Sequence, residues 1–95
     1  MVVGICRIDL RIHGNNSLKG KRQILRKLID RIKNKFNVAI AEVGDNDVLQ
    51  SARIGFCVVG NNQRYINSAL DKITSFIENM NIAEVCDSEW EIIHC

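Results

Sequence analysis

The sequence predicts an α+β domain, with two helices laid on one face of a four-stranded antiparallel sheet. Three observations carry this expectation. Four segments alternate apolar and polar residues with period 2, and two longer segments repeat their apolar residues with helical period. Clusters of Gly, Asn and Asp separate them in the order strand, helix, strand, strand, helix, strand. With 95 residues and no proline, the chain has room for one domain.

From Val2 to His13 the residues alternate. Val2, Gly4, Cys6, Ile8, Leu10 and Ile12 fall on one side, and Val3, Ile5, Arg7, Asp9, Arg11 and His13 on the other, as a half-buried strand requires. Gly14, Asn15 and Asn16 form a turn. Ser17 follows where a helix needs an N-cap, its hydroxyl able to accept from the first free amides. The helix runs to about Phe36, with Leu18, Leu25, Leu28, Ile29, Ile32 and Phe36 as its inner stripe; Gly20 weakens the first turn by about 1 kcal/mol against Ala.

Asn37 breaks that pattern, and Val38 to Val43 reads as a strand with Val38 and Ile40 opposite Ala39 and Ala41. Gly44, Asp45, Asn46 and Asp47 turn the chain. Ala52 to Val59 is a third strand whose Ile54, Phe56 and Val58 face the core, leaving Arg53, Gly55, Cys57 and Val59 outward. After Gly60, a second helix from about Gln63 to Met80 is capped by Asn61 or Asn62, and residues 82–94 supply an acidic last strand. The resulting β-α-β-β-α-β order is the ferredoxin-like pattern. Right-handed crossovers put both helices on one face. The other face is open and mixes small apolar residues with Arg7, Arg11 and Arg53.

Charge is unevenly distributed. Residues 1–36 carry ten Lys/Arg against Asp9 and Asp30, whereas residues 37–95 carry three against nine Asp/Glu, so a net charge of +2 hides a strong asymmetry. The first helix is its source, with eight cations against Asp30 alone. At about 100° per residue, Lys19, Arg22, Arg26 and Lys33 line up as one stripe beside the apolar seam. A one-signed stripe suits a phosphate backbone, whose neutralisation releases counterions. Lys19, Lys21, Arg22, Arg26 and Lys33 of the helix, with Arg7, Arg11 and Arg53 of the open face, are therefore the candidate residues for binding structured RNA or a ribosomal partner. The five aromatic residues show no motif for stacking bases on the sheet, which points to recognition of RNA shape rather than of splayed bases.

Other chemistry finds little support. No segment is long and apolar enough to span a membrane, and the N-terminus lacks the features of a signal peptide, so a cytoplasmic protein is expected. Cys6, Cys57, Cys86 and Cys95 have no metal or redox spacing. The first three lie in apolar strand-like runs and are expected as buried small hydrophobes, with Cys95 exposed. Glu42, Asp45 and Asp47 cluster near one turn, where oxygen ligands for a divalent cation compete with ordinary turn chemistry; the turn reading is the stronger. No nucleophile and base are suitably spaced, so neither enzymatic activity nor a small-molecule cofactor is expected. The alternative to RNA binding is a homodimeric protein-interaction module. In it the small and aliphatic residues Val3, Ile5, Ala39, Ala41 and Val59 pack on a second copy, and the face's arginines meet that copy's acids.

Three stretches also carry a family likeness. "MVVGICRIDLRI", "NSLKGKRQILRKL" and "KFNVAIAEVGDND" resemble the YlxP-like family, a small bacterial domain of unknown function, over nearly the whole chain. The resemblance implies a ferredoxin-like fold. The family's proximity to genes for translation initiation and ribosome maturation factors implies work near RNA or the ribosome. Ser17, Leu18, Lys19, Lys21 and Arg22, and Glu42, Val43, Gly44, Asp45 and Asp47, are the signature positions, without assigned roles. Gly20 departs from the pattern, standing where the family usually has a charged residue, often Glu.

Overall fold

A computed structural model describes residues 1–95. Its elements are β1 (Val2–Arg11), α1 (Leu18–Lys35), β2 (Ala39–Gly44), β3 (Ser51–Gly60), α2 (Gln63–Met80) and β4 (Glu84–His94). The strands form one antiparallel sheet in the order β2-β3-β1-β4, the ferredoxin-like arrangement. The strand ends shift by one or two residues from the sequence reading. After Arg11, for example, Ile12 leaves the ladder to donate to the Gln50 carbonyl, and Gly14 turns the chain at a φ of +74°.

Period 2 decides the faces. Cys6, Ile8, Leu10, Ile54, Phe56 and Val58 point beneath the helices, where they meet Leu25, Leu28 and Ile32 of α1 and Ile66, Leu70, Ile73 and Ile77 of α2 in one core. Gly4 lets α2 sit close on β1, since a Cβ there would lie 2.5 Å from Ile66 Cγ2. α2 rides over β1, β3 and β4, and α1 lies toward the β2 edge.

Helix ends follow their local chemistry. Ser17 Oγ accepts from the Gly20 amide at 3.0 Å, and Asn62 Oδ1 from the Tyr65 amide at 2.8 Å, so each helix has a side-chain N-cap. Asn81, at a φ of +53°, closes α2 in the left-handed region that Asn tolerates. Asn15 ties the capping segment down by donating to the Ser17 and Leu49 carbonyls. Its Oδ1 lies 2.5 Å from where a Cβ at residue 20 would stand, which explains glycine at the position where relatives are expected to carry a larger residue.

Two sequence expectations are corrected here. Lys21 is not on the surface of α1: it is only 2% exposed. Cys86 is not a core thiol, because it is the extra residue of a bulge where edge strand β4 slips against β1, and it points into solvent. Cys6 is buried, Cys57 partly buried and Cys95 exposed, and all four thiols are free.

Candidate functional site

The outer face of α1 is built by a simple rule. Leu25, Leu28 and Ile32 turn inward with Ile29 beside them, so the charged residues between them turn out. Lys19, Arg22, Arg26 and Lys33 are exposed on one flank, as the sequence predicts, and Lys27, Arg31 and Lys35 form a second row on the other. None of the seven makes an ion pair within the chain, although Asp30 is exposed among them. Lys35 Nζ instead sits 4.8 Å from the ring centroid of Phe76, itself packed edge-on against Phe36. Four acids, Glu84, Asp87, Glu89 and Glu91, lie on β4 at the opposite edge of the sheet, while Glu42, Asp45 and Asp47 stand on β2 and the turn after it. The cations of α1 and the acids of β4 thus lie on different sides of the domain.

Lys21 has another task. Its Nζ donates to the carbonyls of Asp45 and, at 2.8 Å, Val48, and it stands 3.0 Å from Glu42 Oε2, so three oxygens surround its three protons. The Glu42 contact lacks hydrogen-bond alignment and acts as an ion pair. This cluster pins the β2–β3 turn to the first turn of α1. It also uses up Glu42, and no group of three or more His, Cys, Asp or Glu side chains is placed to hold a metal ion. The spacing 21, 25, 28, 32 already put Lys21 on the inner stripe, and the alternation 38, 40, 42 put Glu42 on the inner face of its strand.

The arginines of the open face divide. Arg7 Nη2 meets Glu89 Oε2 at 2.7 Å, and Arg53 Nε donates to Asp9 Oδ1 at 2.7 Å; both acids stand directly opposite in the strand register. The hydrogen bond to Asp9 holds the Arg53 guanidinium even more firmly protonated than usual. These two are engaged within the chain, contrary to the expectation that they await a partner's acids. Arg11 is exposed with no ion pair. Between Val3 and Ile5 of β1 and the facing residues of β3 and β2 the face is apolar and shallow, a trough of about 490 Å3 floored by Val3, Ile5, Ala41, Gly55 and Cys57. Ile5 is 40% and Val59 57% exposed.

A second depression, of about 590 Å3, lies beside His13, whose Nε2 meets Glu84 Oε1 at 2.9 Å. Glu78, Asn81, Ile82, Ala83 and Val85 complete its lining, and none offers a nucleophile for that base to activate. Cys6, beneath the helices, is equally unsuited: burial pushes its thiol up to about 11, against a smaller opposing pull from the Thr74 hydroxyl. The sequence reading also missed Trp90, which is 48% exposed on the outer edge of β4. Only its place in the last, least apolar strand hinted at that.

The model of the family described as a protein of unknown function, DUF503, matches residues 3–90. The chain belongs to this family. It is 30% identical over 91 residues to the uncharacterized protein YlxP of Bacillus subtilis (strain 168), covering 94% of this chain and 99% of that one. Among solved structures it is similar to the structural-genomics protein YJCS, with a TM-score of 0.55 at 10% identity over 97% and 99% of the two chains. It is also similar to a putative chlorite dismutase, TA0507, with a TM-score of 0.53 at 13% identity over 97% of this chain and 44% of the other. At such identities the likeness is one of fold. In this chain the buried Lys21 and Glu42 physically join two of the stretches that carry the family likeness and hold the β2–β3 turn.

Proposed function

We propose that this domain is a non-enzymatic binding module that holds structured RNA, as part of a ribosomal component, against the outer face of α1 in the cytoplasm. One observation carries the reading: seven exposed cations on a single helix have no ion-pair partner in the chain. Unpaired like charges at i, i+4 and i, i+3 spacing repel one another and disfavour the helix slightly. Phosphates would remove that repulsion and release counterions as they bind. Lys19, Arg22, Arg26 and Lys33 are the primary contacts, with Lys27, Arg31 and Lys35 on the second flank. The position of the family beside translation genes, implied by the resemblance, agrees with this reading.

The test is binding to an RNA hairpin and to small ribosomal subunits, followed by sedimentation. The triple variant Lys19→Glu, Arg22→Glu, Arg26→Glu is expected to lose binding while its thermal midpoint stays within a few degrees of the parent. Undiminished binding by the folded variant would refute the proposal.

A second reading concerns the other large surface and is compatible with the first. The open face is apolar at one end and carries cations and acids in near balance at the other, so it can meet a copy of itself, which the α1 face cannot. A homodimer through the sheet is the result. Ala41→Glu would then halve the mass measured by light scattering; an unchanged dimer mass would exclude this face.

A further inference from the structure

The dimer reading leaves open how two sheets would meet, and the strand registers select one way. They align the open face into rows across the sheet. Val59, Val3 and Ile93 form an apolar row at one end, and Arg53, Asp9 and Asp87 a charged row farther along. Resting on the homodimer reading, we infer that two copies pack sheet to sheet about a two-fold axis parallel to the strands, running between β1 and β3.

Such an axis returns each row to itself and exchanges β1 with β3. Val3 then faces the partner's Val59, and Asp9 faces the partner's Arg53, so the two Asp9–Arg53 pairs merge into an alternating set of four charges. An in-plane axis perpendicular to the strands would reverse the order of the rows. It would press the Val3 and Val59 row onto the end that carries Arg11, burying an unpaired guanidinium against aliphatic side chains. Gly55 and Ala41 keep the middle of the face shallow, which lets the opposing Arg7–Glu89 pairs lie over small residues.

The area suffices. With strands about 4.8 Å apart and a rise of about 3.3 Å per residue, the ten residues each of β1 and β3, six of β2 and eleven of β4 make a face of roughly 600 Å2. Two such faces bury on the order of 1,200 Å2 together, the lower bound of a standard stable interface. Both α1 faces point outward on opposite sides of the pair, so the dimer presents two separate cationic surfaces.

Mass and cross-linking together test the arrangement. Light scattering of the parent protein is expected to give twice the 10.8 kDa chain mass, with Val59→Glu reduced to the single mass and Lys19→Glu, on the helix face, unchanged. Asn61→Cys, just past the apolar end of β3, is then combined with Cys57→Ser, Cys86→Ser and Cys95→Ser. With sheets about 10 Å apart, the inferred axis brings the two residues 61 within roughly 11 Å, and a short bis-maleimide links them; the perpendicular axis separates them by more than about 25 Å. A parent that stays monomeric up to about millimolar concentration overturns the dimer reading itself and this arrangement with it. A dimer that gives no link through residue 61 overturns the axis alone.

Discussion

At the scale of single residues, the main lesson is that a lysine inside a cationic helix can be part of the core. Lys21 shares its heptad-like spacing with Leu25, Leu28 and Ile32, and its ammonium is fully surrounded by Glu42 and two carbonyls. Lys21→Met removes that charge and leaves Glu42, 23% exposed, without its counter-ion. A loss of about 2–3 kcal/mol in denaturant unfolding is expected, somewhat below the range for fully buried pairs. Lys21→Met combined with Glu42→Leu should recover part of it, since no lone charge remains; a double variant less stable than the sum of the two singles would contradict this account. RNA binding by Lys21→Arg should be changed far less than by Arg22→Glu. Cys6 gives a second residue-scale prediction, with the sign set by its raised pKa. The folded state keeps the proton at pH values where the unfolded thiol, with its ordinary value of 9.0, has lost it. The stability this contributes is complete below pH 9 and is lost as the pH rises through about 11. Cys6→Ala should therefore flatten the alkaline limb of the stability curve, and thiol labelling of the native protein near pH 8 should spare Cys6 while modifying Cys86 and Cys95. Rapid labelling of Cys6 without unfolding would count against its burial.

At the scale of elements, α1 combines two demands. Its inner stripe is an ordinary packing face, but its first turn holds no acid to complement the helix dipole. Lys19→Glu would supply one, in the position where dipole and neighbouring cations both favour it. The variant should be more stable by about 0.3–1 kcal/mol at low salt yet bind RNA less well, an opposition that a purely structural role for Lys19 would not produce. Equal or lower stability together with unchanged RNA binding would mean that the cation is neither costly to the helix nor used. The elements themselves were legible in the sequence because period 2 and period 3.6 switch cleanly at Ser17, Asn37 and Gly60. The inward positions of Lys21 and Glu42 follow from the same periods, although their charges suggest solvent. What spacing could not show was cross-strand register. Arg7 finds Glu89 and Arg53 finds Asp9 only once β1 lies between β3 and β4, an order set by the crossovers rather than by any local pattern. The exposure of Cys86 and Trp90 likewise follows from β4 being an edge strand.

At the scale of the whole molecule, the sheet separates three surfaces with different chemistry: a cationic helix face, a mixed open face and an acidic edge. The separation lets an anion approach from the α1 side while β4 repels it, which orients encounter as well as strengthening it. It also allows two copies to join through their sheets without covering either helix. The central claim is that α1 meets phosphates, and it is most directly tested by a salt titration of RNA binding with the parent protein. Four or five neutralised phosphates would give a slope of about −3 to −4 in log affinity against log salt, and each of Arg22→Gln and Arg26→Gln should reduce its magnitude by about 1. Absence of binding even at low salt, or a slope that these variants leave unchanged, would contradict it.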